Sequence, residues 1–76
     1  METVLRQLGE NVAFYRGKVG LSQEALAEQA DLDRTLISSI ERGKKLVRID
    51  TLVKLARGLG IRLDELLKDV ALEDAA

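Results

Sequence analysis

The amino-acid sequence predicts an all-α domain of five short helices, and three observations support this fold class. Apolar residues recur at spacings of three and four, which is the period of a helix with one buried side. No stretch alternates apolar and polar residues for long enough to form a strand. Glycine and capping residues divide the chain into short segments, whereas proline is absent.

The first two helices are indicated by apolar spacing and by a capping serine. The first is expected from about Glu2 to Lys18, ending before Gly20. Its apolar residues at helical spacing are Val4, Leu5, Leu8, Val12 and Tyr15. The second follows Ser22, whose hydroxyl can accept a hydrogen bond from a free N–H group of the first turn. Strong helix formers then continue to a break at residues 30–32.

The third helix is expected to begin after the N-cap Asp33 and to end at Glu41 or Arg42, before Gly43. Three apolar side chains share one side of it: Leu36, Ile37 and Ile40. At about 100° per residue, the polar side chains fall within an arc of about 140° on the other side: Arg34, Thr35, Ser38, Ser39 and Arg42. These polar groups can hydrogen-bond to base edges or phosphates, although the outer side of an ordinary surface helix is also polar.

The fourth and fifth helices show the same apolar period. The fourth is expected from about Ile49 to Leu59, with apolar side chains at Leu52, Leu55, Ala56 and Leu59. The fifth is expected around Leu63 to Val70, with apolar side chains at Leu63, Leu66, Leu67 and Val70. Residues 71–76 are expected to fray at the end of the chain.

The composition excludes several kinds of functional site. The 76 residues are expected to form one domain, residues 1–76, and they include neither cysteine nor histidine. Disulfides, thiolate zinc sites, cysteine nucleophiles and imidazole bases are therefore excluded. The carboxylates are scattered over helix surfaces, without a phosphate-binding loop or a nucleophile–base pair. We expect no catalytic residue, no metal, no cofactor and no small-molecule ligand.

Nothing in the sequence points to a membrane. The N-terminal residues lack the pattern of a signal peptide. No apolar run approaches the roughly 20 residues that a membrane-spanning helix needs. We therefore expect a cytoplasmic protein without a membrane partner.

The charge is distributed unevenly along the chain. The net charge is only −1, which by itself argues weakly against a polyanionic partner. Residues 34–48, however, hold five basic side chains against one acidic side chain, a local net charge of +4, whereas residues 49–76 carry −2. Such asymmetry can orient a protein on nucleic acid, although charge alone equally allows a solvated basic loop.

Two segments together carry a resemblance to a known family. The run GLSQEALA at 20–27 precedes LDRTLISSIERG at 32–43, and the pattern continues with DTL, KLA, LG and LDELL over residues 50–67. In this order and spacing the chain resembles the phage repressor/Cro-like (XRE) helix-turn-helix family over roughly residues 8–67. The run DLDRT at 31–35 is especially similar to restriction–modification controller proteins, which are stand-alone regulators that bind DNA as dimers. The resemblance implies a compact five-helix repressor-like DNA-binding domain with its helix-turn-helix at about residues 22–42.

The chain departs from the family pattern at three capping or turn positions. Asp31 stands in the turn where relatives often carry glycine, and aspartate tolerates the left-handed conformation at modest cost. Arg48 and Arg62 replace the usual serine caps of the fourth and fifth helices. Asp50 and Asp64 in the first turns are expected to compensate in part.

The resemblance also implies roles for individual residues. Four side chains would face base edges in the major groove: Arg34, Thr35, Ser38 and Ser39. Arg34 is the candidate for a bidentate contact with guanine, because its planar guanidinium matches the O6 and N7 acceptors. Five side chains would contact the DNA backbone: Gln23, Arg42, Lys44, Lys45 and Arg48. Arg48 is equally well explained as a plain loop arginine.

Two further sets of residues are expected to support this surface. Arg16 and Glu41 are interpreted as a structural ion pair that ties the first helix to the third. The fifth helix offers more apolar surface than a domain of this size needs. Part of that surface is therefore expected to pack against a second copy: Leu63, Leu66, Leu67 and Val70.

The leading hypothesis is a sequence-specific DNA-binding transcription regulator that acts as a homodimer on a palindromic operator in double-stranded DNA, most similar to a controller protein. Such a protein would act as repressor or activator according to where its operator lies. One alternative is an antitoxin or phage-type repressor with the same DNA-binding module. Another is a protein-interaction module that has lost DNA binding.

Overall fold

The structure, a computed structural model, describes residues 1–70 and contains five helices and no strand within that range. In chain order they are α1 (Glu2–Lys18), α2 (Gln23–Ala30), α3 (Arg34–Glu41), α4 (Ile49–Leu59) and α5 (Leu63–Leu66). The predicted all-α class is confirmed, and the bounds of the first four helices agree with those expected from the sequence. The tail at 71–76, which was expected to fray, lies outside the described residues.

Local capping explains where α2 and α3 begin. The Ser22 hydroxyl accepts a hydrogen bond from the backbone N–H of Ala25 at 3.0 Å. The carboxylate of Asp33 accepts one from the N–H of Thr35 at 2.8 Å. Between the two helices, Asp31 adopts the left-handed conformation with φ 57°. Aspartate therefore makes the tight turn that glycine would also allow, as the sequence predicted.

The arginines before α4 and α5 are not side-chain caps. Arg48 instead forms an exposed ion pair with Asp50, with 3.2 Å between Nε and Oδ1. At α5, the carboxylate of Glu65 accepts a hydrogen bond from the backbone N–H of Arg62 at 2.9 Å. A residue in the first turn thus satisfies a donor that precedes it, as in a capping box, and replaces part of the missing serine cap.

The fifth helix is shorter than the sequence predicted, because it ends at Leu66 and not at Val70. The side-chain amide of Asn11 in α1 donates to the carbonyl oxygens of Leu66, at 2.8 Å, and Lys68, at 2.7 Å. Asp69 then adopts the left-handed conformation with φ 63°. The chain therefore turns against α1 where a longer helix was expected.

The core lies between two pairs of packed helices, with α2 against α4 and α1 against α3. The short α5 closes one end by packing against α4 and α1. The buried apolar side chains are Leu8, Val12, Leu26, Ala27, Ala30, Ile37, Ile40, Leu52, Leu55, Ala56, Leu59 and Leu66. None of the helices in the described part is long and apolar enough to cross a membrane.

Candidate nucleic-acid interface

The third helix is anchored by one side and exposed on the other. Ile37 and Ile40 are almost completely buried, with 0% and 1% of their surface exposed. Leu36 is partly buried against the same core. Burial of this apolar side fixes the rotation of α3 about its axis, and its polar side therefore has a defined direction toward solvent.

The polar side of α3 combines long and short side chains. Arg34, Thr35 and Arg42 are exposed, whereas Ser38 and Ser39 are half-buried. The two serines carry short side chains and lie low on the surface. A ligand can therefore approach the helix backbone closely between the arginines at its two ends.

A groove joins this helix to the basic loop, which we define as residues 44–48 between α3 and α4. Its volume is about 410 Å³. Thr35 and Ser39 line it from α3, whereas Lys45 and Arg48 line it from the basic loop. The fold therefore brings two of the candidate base-contact residues and two of the candidate backbone-contact residues to one surface. The other candidate contact residues lie outside the lining of this groove: Arg34, Ser38, Gln23, Arg42 and Lys44.

Gly43 directs the chain from α3 into the basic loop. It adopts the left-handed conformation with φ 67°, which glycine reaches without a steric penalty. A Cβ atom here would also lie 3.1 Å from the Cα atom of Arg6 in α1. Lys44 and Lys45, which follow directly, are both exposed. The sharp turn thus places two cations next to the end of the helix.

Arg16 and Glu41 form a bidentate ion pair between α1 and α3. Nε of Arg16 lies 2.6 Å from Oε2 of Glu41, and Nη2 donates to Oε1 at 3.0 Å. Nη1 donates to the carbonyl oxygen of Leu21 at 2.9 Å, just before α2. The hydrogen bonds to Glu41 and its negative charge raise the pKa of Arg16, while partial burial acts in the opposite direction. The guanidinium therefore joins α1, the start of α2 and the end of α3.

Two contacts of the site have no signal in the sequence. Nε2 of Gln23 donates to Oε1 of Glu41 at 3.1 Å, which links α2 to the ion pair. Arg34 lies near Glu24, with 3.5 Å between Nε and Oε2. The side chains of that second pair are 57% and 69% exposed, and an exposed ion pair contributes little to the stability of the fold. The guanidinium of Arg34 is therefore able to leave Glu24 for another partner.

The candidate dimer residues do not form a single exposed surface. Leu66 is 0% exposed and belongs to the core, so it offers no surface to a second copy. Leu63 is partly buried against the same core. Leu67 is 37% exposed, and Val70 is half-buried. Part of the apolar surface that the sequence predicted to be in excess on the fifth helix is therefore buried inside the single chain.

Comparison with known proteins places this geometry among DNA-binding domains. A family model described as "Helix-turn-helix" matches residues 12–66. The control protein C.MunI of a Mycoplasma species is 54% identical over 56 residues, which cover 74% of this chain and 76% of that protein. The control protein C.SmaI of Serratia marcescens is 47% identical over 60 residues, which cover 79% and 71% of the two chains.

Solved structures show the same arrangement of helices. The restriction-modification controller protein C.AhdI from Aeromonas hydrophila superposes with a TM-score of 0.80 at 39% identity, covering 82% of this chain and 94% of that one. C.Esp1396I bound to a 19 base pair DNA duplex superposes with a TM-score of 0.80 at 30% identity, covering 88% and 89%. The chain is thus similar in sequence and in structure to controller proteins.

Proposed function

The chain belongs to the helix-turn-helix family, and from that premise we propose that it is a restriction–modification controller protein. It would be a sequence-specific DNA-binding transcription regulator that acts as a homodimer on a palindromic operator. The observation that carries the proposal is the groove between α3 and the basic loop. Its lining includes hydroxyl groups from the helix and cations from the loop, beside Asp33 and the apolar side chains of Leu36, Leu46 and Val47. The hydroxyl groups and cations suit base edges beside a phosphate backbone.

Base reading is assigned to the exposed side of α3. Arg34 stands in the first turn, where its fork of N–H donors can bind O6 and N7 of guanine once it leaves Glu24. Thr35 offers a hydroxyl donor or a methyl group to thymine. Ser38 and Ser39 contact bases directly or through water, because their short side chains let the helix approach closely.

Contacts with the DNA backbone are assigned to residues at and after the C-terminal end of α3, and to Gln23 at the N-terminal end of α2. Arg42, Lys44, Lys45 and Arg48 are exposed and follow the reading side of α3 along the chain. Their charges would neutralise phosphates and release counterions. Gln23, at the start of α2, would donate a hydrogen bond from its uncharged amide to a phosphate, where the free N–H groups of a helix N-terminus also favour an anion.

Dimerisation is assigned to the outer side of α5 and the turn after it. With Leu66 in the core, the proposed contacts reduce to Leu67 and the half-buried Val70, with Leu63 at the margin. A symmetric dimer would place its two α3 helices in successive major grooves, about 34 Å apart. The operator would therefore be an inverted repeat whose half-sites are one turn of DNA apart.

Selection of bound duplexes from random DNA tests this function. We expect enrichment of an inverted repeat, and we expect the enriched duplex to bind more tightly than its scrambled version at every salt concentration. A mobility shift at rising protein concentration should show the dimeric complex. A protein that enriches no sequence would not be a sequence-specific regulator, whichever partner it binds instead.

A further inference from the structure

We propose that Glu41 is a positioning residue for DNA binding, which holds the side-chain amide of Gln23 in the orientation that donates to a phosphate. Arg16 completes the unit by neutralising the carboxylate. The inference rests on the proposed function, because it takes a DNA phosphate as the acceptor at the start of α2. It assigns Glu41 a role beyond the ion pair that the sequence indicated.

The contacts of Glu41 form one connected unit. Its Oε1 atom accepts hydrogen bonds from both Arg16, at 3.0 Å, and Gln23, at 3.1 Å. Its Oε2 atom accepts the remaining bond from Arg16 at 2.6 Å. Only 8% of the Glu41 side chain is exposed, compared with 22% for Arg16. The carboxylate is therefore held in place from α1 and is itself too enclosed to serve as a contact to DNA.

The carboxylate determines which way the amide of Gln23 points. An ionised carboxylate only accepts hydrogen bonds, so it requires the NH₂ group and not the carbonyl oxygen of the amide. A flipped amide would bring its oxygen against Oε1 of Glu41. One hydrogen of Nε2 is used by this contact. The other remains available to a phosphate oxygen at the N-terminal end of α2, in an orientation that Gln23 alone would not keep.

Charge explains why Arg16 is part of the unit. A bare carboxylate close to the phosphate backbone would repel it and weaken binding. The bidentate contact with Arg16 cancels that charge locally, while Oε1 accepts from Gln23 as well as from Arg16. The three residues thus have separate tasks. Arg16 neutralises the carboxylate of Glu41, Glu41 orients the amide of Gln23, and Gln23 donates to the phosphate.

A double-mutant cycle on the full chain tests the coupling. Binding of the selected duplex is measured for Gln23→Ala, Glu41→Gln and the double variant, well below their melting temperatures. Gln23→Ala should weaken binding about tenfold, the range of a hydrogen bond to a charged group. In either orientation the amide of Glu41→Gln turns its NH₂ group against an N–H group of Arg16, so the acceptor of Gln23 loses its fixed position and the loss of binding should be similar. Because both changes remove the same contact, the double variant should bind within about twofold of Gln23→Ala.

Two outcomes of the cycle would overturn the inference. One is a loss in the double variant equal to the product of the two single losses, which would mean that Glu41 acts independently of Gln23. The other is a Gln23→Ala variant that binds the duplex as well as the unaltered protein does. Gln29→Ala is the matched control, because Gln29 is exposed near the other end of α2. Failure of the proposed function would look different, since no duplex would be selected at all.

A measurement on the unaltered protein remains informative if Glu41→Gln does not fold. The measurement is the chemical shift of each of the two side-chain amide protons of Gln23, by nuclear magnetic resonance, in the free and in the DNA-bound protein. We expect the proton bonded to Glu41 to keep its chemical shift, while the other moves downfield when DNA binds. If neither proton moves, Gln23 makes no phosphate contact and the inference is wrong.

Discussion

The backbone of Gly9 in α1 packs directly against the carbonyl oxygen of Ile40 in the last turn of α3. A Cβ atom at residue 9 would lie 2.6 Å from the carbonyl oxygen of Glu41 and still closer to that of Ile40. Both neighbours are backbone atoms, which cannot rotate away as a side chain can. The distance between α1 and α3 therefore depends on the absence of a side chain at this position.

Gly9→Ala should destabilise the protein and weaken DNA binding together. The added methyl group must push α3 away from α1, and overpacking of this kind lowers the free energy of unfolding by about 1–3 kcal/mol. Thermal unfolding and a DNA titration measure the two effects. Gly17→Ala is the matched control in the same helix, because a Cβ there meets no atom within 4 Å. Equal melting temperatures for the two variants would refute the tight contact.

Glu41→Ala should also affect both stability and DNA binding. Arg16 loses its partner, and the end of α3 loses its link to α1. We expect the free energy of unfolding to fall by about 2 kcal/mol, less than for a fully buried pair because Arg16 is partly exposed. Glu28→Ala, an exposed change on α2, serves as the control. A variant that keeps its melting temperature would contradict the structural role of the pair between α1 and α3.

The helix bounds that the sequence predicted correctly are those with local causes. Ser22 and Asp33 cap α2 and α3 through hydrogen bonds that span two or three residues. Such signals are readable because both partners lie in one short segment. The end of α5 was not predictable in this way, since it depends on Asn11, which is 55 residues from Leu66 in the sequence.

The same difference between local and long-range causes applies to the candidate site. The polar side of α3 and the apolar side that anchors it both followed from helical periodicity, and the ion pair between Arg16 and Glu41 was implied by the family resemblance. The bond between Gln23 and Glu41 joins residues 18 apart, and no periodic pattern specifies it. Leu66 was expected at a contact with a second copy and lies in the core, because an apolar period shows that a residue is buried without showing what covers it.

Dimerisation should depend on Leu67. It is the most exposed of the predicted interface residues, and Leu67→Ala removes apolar surface from both copies of a symmetric interface. We expect the dimer dissociation constant to rise roughly tenfold or more, by sedimentation at micromolar concentration. Val19→Ala, an exposed apolar change at the end of α1, should leave it unchanged. A strict monomer that binds a half-site as tightly as a palindrome would contradict the dimer.

Lys44→Ala should weaken binding to operator and scrambled DNA by similar factors. Lys44 follows the end of α3, where the phosphate backbone is the nearest part of the duplex in the proposed complex. Loss of each phosphate contact should reduce the slope of log affinity against log salt by about one. Lys68→Ala, an exposed lysine after α5, controls for net charge. A selective loss on the operator would instead make Lys44 a base-reading residue.

The most direct test of sequence reading through α3 is a titration of Arg34→Ala against the selected operator and a scrambled duplex at several salt concentrations. Arg34 stands in the first turn of α3, where an exposed and weakly held guanidinium can reach guanine. We expect a loss of about 1–3 kcal/mol on the operator and far less on the scrambled duplex, with relaxed preference at one base pair per half-site. Equal losses on both duplexes would contradict this account and make Arg34 a phosphate contact.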